Sequence, residues 1–583
     1  MSLCFVFSMI SSSNSYCHQI ISIIQSHGVR TAYCSPGSRN APLLLALDSN
    51  IDIQKHVVVD ERSAAFQALG CALLEQRPVL LVCTSGTAVL NYAPAIAEAY
   101  YAGVPLIVVS ADRPREWIDQ DDSQVIRQFG VLQNFVKGSY DILDYAGFGT
   151  NRHVDRWTVN RTVNEAMLKA LDGKPGPVHI NVQLSDPLGE VCECGFPEER
   201  HVKLIRSAET LSAKVLTSLA EEAFNSKILV VAGFGMPDNS LIKAMRMFAS
   251  LPNVAVMAET ISNLREVQPM AEMIDSVLCR MSETDKERLR PDIVISFGGA
   301  LVSRMLKQYL RNYPPKRHWS VGHTNYFGDC FQSLSEMVDV SPDSFFRQMY
   351  GALNKKFKVT ELDYANDWNN MRRAAAKISE DFIRHSPWSD LTAIDYILKH
   401  LPLDNFFVSN GTSVRYSQLI PHKCHAEYCN RGVSGIDGCT ATAVGAANAY
   451  LGETTLLTGD MSWLYDSGAS TLFNVPIDMR IIVIDNMGGG IFRFIKSTNS
   501  IPTDILNNYF CVENQPDIES IAEGYGFDVR VAANMKELKD TVKWLSKASY
   551  LPRLLIVQTP PDISAKVLKS YFNPTPSSLT LNS

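Results

Sequence analysis

The run Leu456-Leu-Thr-Gly-Asp-Met-Ser-Trp-Leu-Tyr465, read with Arg480-Ile-Ile-Val-Ile-Asp-Asn-Met-Gly-Gly-Gly490, restricts the fold of this chain more than any other stretch. A short apolar run ends in Gly459-Asp460, an apolar helix-like segment follows, and a β-rich run from Ile481 to Ile484 ends in Asp485-Asn486-Met487-Gly488. This is one strand–helix–strand unit with oxygen donors at the carboxyl ends of both strands, where open parallel sheets place their ligand crevice. A carboxylate at Asp460, an amide oxygen at Asn486 and a carbonyl at Gly488 suit a hard cation such as Mg²⁺, which keeps positions for phosphate oxygens and water. Alone, Asp460 also fits a helix N-cap. The spacing of the two halves favours a metal-diphosphate clamp.

A chain of 583 residues is long enough for three or four domains. Its net charge of −7 argues against a general nucleic-acid surface while leaving room for local basic pockets. Thirteen cysteines without C-x-x-C spacing read as reduced thiols, not as a disulfide frame or zinc site. No segment reaches the roughly 18 apolar residues of a membrane span, and Met1 to Ile10 reads as a loose start. The expectation is a cytoplasmic protein.

Along the chain, strands alternate with helices. Cys17 to His27 is helical, Thr31 to Cys34 is a strand, and Ser35-Pro-Gly-Ser-Arg-Asn40 is a tight turn in which Arg39 adds a planar positive fork. His56 to Asp60 delivers Glu61 to the start of a helix, a position that alone reads as a surface glutamate. Strands at Val79 to Cys83 and Leu106 to Ser110 follow, the second ending in Asp112-Arg113, and Gln124 lies beyond an acidic run as a candidate hydrogen-bond donor. The alternation predicts an α/β architecture of three doubly wound parallel-sheet domains: residues 1–190, 205–350 and 375–570, with a tail at 571–583. In the middle domain, Lys227 to Met236 matches the dinucleotide fingerprint only in part, so a Rossmann-like domain without dinucleotide is expected. The last domain opens at Asn405 and carries Arg415 and Arg431 before a small-residue helix, Cys439 to Tyr450, expected to pack tightly on a sheet.

Gly-Asp followed, after a helix and a strand, by Asn-x-Gly resembles the diphosphate motif of thiamine diphosphate enzymes. Ser35-Pro-Gly-Ser-Arg-Asn, Asp60-Glu-Arg-Ser-Ala-Ala, Ser110-Ala-Asp-Arg-Pro and Asn430-Arg-Gly-Val-Ser-Gly-Ile-Asp-Gly extend the likeness through the first and last domains, and the loop at Arg304 carries it into the middle one. Together they resemble the 2-succinyl-5-enolpyruvyl-6-hydroxy-3-cyclohexene-1-carboxylate synthase family of menaquinone biosynthesis. The resemblance implies a transferase that decarboxylates 2-oxoglutarate on thiamine diphosphate and adds the succinyl unit to isochorismate in a Stetter-type 1,4-addition. It also implies Mg²⁺, with Mn²⁺ an alternative, and a homodimer or dimer of dimers. By the same resemblance Glu61 bonds the aminopyrimidine ring, and Ile436 and Ile491 pack on the cofactor, with Gly459, Met461 and Ser462 beside the clamp. Ser38, Arg39, Arg113, Gln124, Arg304, Arg415, Arg431 and Phe492 then face the substrates, with Gln124, Arg39 and Arg113 nearest the chemistry. Two dicarboxylates call for several guanidinium groups.

The chain departs from the family pattern where Ser303 precedes Arg304, where Gly411 follows Asn410, and where Asp485 precedes Asn486. Asn486 remains the expected ligand, because Asp485 points the other way along the strand. A thiamine diphosphate 2-oxoacid decarboxylase or acetohydroxyacid synthase is the nearest alternative, and a catalytically silent thiamine diphosphate or nucleotide-binding protein the more distant one.

Overall fold

The computed structural model describes residues 9–144, 152–194, 198–267, 272–354, 363–471, 475–498, 500–512 and 515–573. The chain forms two compact units, one of residues 1–206, 432–451 and 468–475, the other of residues 207–431, 452–467 and 476–583.

In the first unit, strand β1 (Met9–Ser12) precedes a parallel sheet of β2 (Thr31–Cys34), β3 (Gln54–Val57), β4 (Val79–Cys83), β5 (Leu106–Asp112), β6 (Ser139–Ile142) and β7 (Val178–Gln183). Their spatial order is β3-β2-β4-β5-β7-β6. Strands β4 and β5 are buried along their whole length, as expected for a sheet covered by helices on both faces. Helix Ser15–Ser26 contributes Ile20, Ile21 and Ile24 to a core cluster that also holds Leu80, Val82 and Ile107 of the sheet. Strand β8 (Val191–Cys194) pairs antiparallel with β1. That ladder joins the stretch expected as a loose start to one between the expected domains 1–190 and 205–350; the rest of that start, residues 1–8, is outside the described residues.

Helix Glu61–Glu75 packs against helix Cys439–Ala449 in the same unit. The crossing requires glycine: a Cβ on Gly70 would stand 1.8 Å from the Thr442 carbonyl oxygen, and one on Gly445 would stand 1.9 Å from that of Gln67. The small residues from Cys439 onward thus serve a close helix–helix contact, where the sequence suggested a helix on a sheet.

The second unit holds two parallel sheets. The middle one comprises β9 (Ile228–Ala232), β10 (Val254–Ala258), β11 (Ile293–Phe297), β12 (Arg317–Val321) and β13 (Glu336–Val338), in the order β10-β9-β11-β12-β13. Its glycine turn is occupied by its own backbone, since a Cβ on Gly233 would lie 2.1 Å from the Gly299 carbonyl oxygen. The last sheet comprises β14 (Asn405–Val408), β15 (Ala426–Tyr428), β16 (Thr454–Gly459), β17 (Met479–Asp485), β18 (Asp528–Ala532) and β19 (Arg553–Gln558). Its order, β15-β14-β16-β17-β19-β18, repeats the permutation of the first sheet strand for strand.

A buried ion pair joins the middle and last sheets. Glu427 on β15 is fully buried, pairs with Arg265, accepts from Thr260 Oγ1 at 2.9 Å and faces His422 Nε2 at 3.0 Å. Asn263, in the left-handed conformation at φ 57°, bonds both the Glu427 N–H (2.8 Å) and its carbonyl (3.0 Å). Most of the expected tail, from residue 574 on, lies outside the described residues.

Candidate active site

Strand β16 ends at Gly459, and Asp460 begins helix Asp460–Tyr465. The Asp460 carboxylate is buried and accepts from the backbone N–H of Met461 (2.7 Å) and of Gly488 (2.6 Å). Burial pushes its pKa up to about 7; the two backbone hydrogen bonds oppose the rise and the nearby Asp485 and Asp390 add to it. Among the described residues it makes no ion pair. A desolvated carboxylate without a cation is costly, so this one is poised to take a positive charge.

The turn after β17 completes the donor set. Met487 and Gly488 both have positive φ, 59° and 108°, and a Cβ on Gly488 would stand 1.7 Å from the Cys511 carbonyl oxygen. Only glycine fits there. The Gly488 carbonyl accepts from the Gly490 N–H at 2.7 Å and keeps a second lone pair. Asn486 is buried and donates through Nδ2 to Asp390 Oδ2 at 2.9 Å, which leaves its amide oxygen free on the other side. Asp485 instead caps its own turn, accepting from the Met487 N–H at 3.3 Å. Carboxylate, amide oxygen and carbonyl form an all-oxygen set that fits Mg²⁺. Ser462 is buried two residues into the helix from Asp460.

A cavity of about 440 Å³ opens in the same unit, lined by Arg304, Arg415, Asp275, Tyr416, Phe494 and Ile495 among others. Arg304 is the first residue of helix Arg304–Asn312, capped by Ser303, whose Oγ accepts from the Leu306 N–H at 2.9 Å and donates to Asp275. Ser303 is therefore a helix cap in this chain. Glu259, fully buried with its pKa pushed up to about 7 by burial, accepts from the N–H groups of Val302 (2.8 Å) and Ser303 (2.7 Å) and pins that loop. Arg415 lies on the short helix Ser413–Ser417; burial, then Arg304 and Arg431, lower its pKa. Neither Arg304 nor Arg415 makes an ion pair among the described residues, and the buried Arg415 Nε has no hydrogen-bond partner. Arg431 is held behind them by the Asn410 Oδ1 (2.9 Å) and the Leu301 carbonyl (3.1 Å). Converging guanidinium groups with no direct ion pair among the described residues, Arg415 feeling Asp275 and Glu259 only at longer range, make an anion site at this cavity.

The remaining expected residues lie in the first unit. Glu61 is half-buried at the start of its helix, where Asp60 caps the Arg62 N–H at 3.0 Å. Arg39 is buried and donates to the Leu184 carbonyl (2.9 Å) and Asp186 (3.3 Å). Arg113 pairs with Asp122 at 2.9 Å and donates to the Ser123 carbonyl. Ser38 and Gln124 are exposed, Gln124 with φ at 53°. The loop carrying Gln124 is anchored by buried Gln128, which accepts from the Gly86 N–H (3.0 Å) and donates to the Ala111 carbonyl (2.9 Å) and Asn181 (2.9 Å). Ile436 is 37% exposed, in a loop held by Glu98 through the N–H groups of Gly432 (2.5 Å) and Val433 (2.6 Å).

Asp460, Asn486 and Gly488 are thus brought together, and so are Arg304, Arg415 and Arg431. Ile491 and Phe492 sit on the single-turn helix Gly490–Arg493, with Phe492 against Phe510, while the nearby cavity wall is formed by Phe494 and Ile495. Sequence reasoning also passed over Asp390, Asp275 and Tyr416. Asp390 stands in Ser389-Asp-Leu-Thr392, which reads as an ordinary helix start, and its partner Asn486 is remote in the chain. His422, Cys424 and Glu427 bring ligand-type atoms within 4.8 Å of one another, but Arg265 already neutralises Glu427.

Fold and clamp define a thiamine diphosphate enzyme, and residues 15–131 match the family model for the thiamine pyrophosphate enzyme N-terminal TPP binding domain. The chain is 39% identical to the 2-succinyl-5-enolpyruvyl-6-hydroxy-3-cyclohexene-1-carboxylate synthase of Porphyromonas gingivalis, over 95% of this chain and 96% of that one. It is 34% identical to the synthase of the same name from Flavobacterium johnsoniae (95% and 97%) and 32% identical to that from Bacteroides fragilis (95% and 98%). The chain belongs to the 2-succinyl-5-enolpyruvyl-6-hydroxy-3-cyclohexene-1-carboxylate synthase family.

Proposed function

We propose that the protein decarboxylates 2-oxoglutarate and joins the remaining four-carbon unit to isochorismate, forming 2-succinyl-5-enolpyruvyl-6-hydroxy-3-cyclohexene-1-carboxylate and CO₂ for menaquinone biosynthesis. Thiamine diphosphate, when bound, supplies the carbon nucleophile of this reaction. The observation that carries the reading, beside family membership, is the cavity with the unpaired Arg304 and Arg415. A monocarboxylate would leave one of these guanidinium groups without a counter-ion; a pair of dicarboxylates satisfies both.

In this reading Asp460, Asn486 and Gly488 hold Mg²⁺ and through it the diphosphate, with Gly459, Met461 and Ser462 alongside. Ile436 and Ile491 pack on the cofactor rings and exclude water, which disfavours separated charge at the reacting carbon. The Glu61 carboxyl holds a proton at the aminopyrimidine nitrogen, the general-acid–base role its place at a strand end permits. Arg304, Arg415 and Arg431, with Ser38, Arg39, Arg113, Gln124 and Phe492, orient the carboxylates. Arg39 and Arg113 must exchange Asp186 and Asp122 for substrate to take that part. The domain division 1–190, 205–350 and 375–570, a homodimeric or higher assembly and a cytoplasmic location complete the proposal.

The test is an omission series with purified protein, thiamine diphosphate and Mg²⁺, followed by mass spectrometry. The adduct is expected only when 2-oxoglutarate and isochorismate are both present. Release of succinic semialdehyde at an equal rate without isochorismate would favour a plain decarboxylase.

A further inference from the structure

We propose that Asp390 is a positioning residue: it fixes which face of the Asn486 amide is turned toward the cation site. The inference rests on the reading of Asp460, Asn486 and Gly488 as that site. An asparagine amide has an oxygen face and an N–H₂ face of nearly the same shape, and only the oxygen can ligate a cation. A neighbour that accepts and cannot donate therefore decides whether the residue works.

Asp390 meets that requirement. It is buried at the start of helix Asp390–His400, where the helix dipole favours a negative charge. Its Oδ1 accepts from Thr559 Oγ1 and from Ser564 Oγ (3.1 Å). Its Oδ2 accepts from Asn486 Nδ2 at 2.9 Å and faces Tyr416 Oη at 3.5 Å. Every neighbour on this list donates, so the carboxylate is held as an acceptor and Asn486 must offer it N–H. The backbone closes the other escape: a Cβ on Gly490 would stand 2.7 Å from Asn486 Nδ2, so the amide lies flat against that turn. The Asn486 oxygen is thereby left for the side of Asp460 and Gly488. Tyr416 also lines the arginine cavity, so one carboxylate braces the clamp and a cavity wall together.

The test is Mn²⁺ binding to the full chain in the presence of thiamine diphosphate, read by electron paramagnetic resonance without turnover. Asp390→Ala should weaken Mn²⁺ binding about ten- to 100-fold, the usual cost of losing a residue that orients a metal ligand. Asp390→Asn should also weaken it, by about three- to ten-fold, because its amide can turn oxygen to the donating Thr559 and Ser564 hydroxyls and N–H₂ to Asn486. In Asp390→Ala/Asn486→Asp the ligand has no wrong face, and binding should recover most of the loss. A folded Asp390→Ala protein that binds Mn²⁺ as the wild type does would overturn the proposal, as would a double variant no better than the single one. If the alanine variants do not fold, Asp390→Asn decides alone, and a folded Asp390→Asn protein that binds Mn²⁺ as the wild type does overturns the proposal. A wild type that binds no Mn²⁺ would overturn the cation site itself, a different result from loss in the variants only.

Discussion

The first and last sheets have the same strand order, yet their carboxyl ends are finished in opposite ways. Where β2 and β5 end, the charges are met by the protein: Arg39 rests on the Leu184 carbonyl and Asp186, and Arg113 on Asp122. Where β14, β16 and β17 end, they are not. Among the described residues, buried Asp460 makes no ion pair and the buried Arg415 Nε has no acceptor. Topology fixes where the strand ends lie, while the loop residues decide whether such an end is self-satisfied or depends on a ligand. Uncompensated charge is tolerated in a fold when a ligand is there to neutralise it.

The sharpest way to break this contrast is Asp460→Asn. It should lower cofactor-dependent turnover on the order of 1000-fold, since a cation contributes several kcal/mol at such a centre. The same change relieves a buried charge but sets an N–H₂ group against one of the two backbone N–H groups that the carboxylate accepts from, so the melting temperature of the cofactor-free protein should change little. Turnover within about ten-fold of the wild type would contradict the contrast.

Next in size is the ion pair between the middle and last sheets. Glu427→Gln removes the buried carboxylate that pairs with Arg265 and should cost about 3 kcal/mol in urea unfolding. Arg265 and His422 hold the Glu427 carboxyl, against the opposing effect of burial, at about 2, below its ordinary 4.5. A depressed carboxylate pKa means that the unfolded chain binds the proton more tightly. The stabilisation is therefore complete above about pH 4.5 and is lost as the pH falls toward 2, and the glutamine variant should lack that part of the acid limb.

Smaller effects separate the two kinds of arginine. Arg415→Met should raise the KM for 2-oxoglutarate or isochorismate about 30-fold, or roughly 2 kcal/mol, with little loss of stability. Arg39→Met should show the reverse emphasis in the free protein, a loss of about 1 to 2 kcal/mol in thermal unfolding, because it strips the Leu184 carbonyl of its donor. Equal stability changes in the two variants would erase the distinction drawn between the sheets.

Much of this was legible in the chain. Strands β2 and β4 fall where their apolar runs predict, and the clamp was readable because both halves lie within one strand–helix–strand unit. Strands β6, β15 and β18 escaped notice because they are short or carry polar residues at the sheet edge or beside it, where alternation is weak. Arg304, expected in a loop or at a helix start, is the first residue of the helix capped by Ser303, whereas Arg415, expected in a loop, lies on a short helix. Asp390 left no local trace, because its role exists only once β17 and the helix Asp390–His400 have come together.

The most direct test of the account is to follow CO₂ release and isochorismate loss together in one reaction with thiamine diphosphate, Mg²⁺ and 2-oxoglutarate, for the wild type and for Glu61→Gln. The account predicts equal molar amounts of both from the wild type, none without 2-oxoglutarate, and a collapse of both in the variant. CO₂ released at an unchanged rate in the absence of isochorismate, or isochorismate consumed without 2-oxoglutarate, would contradict it.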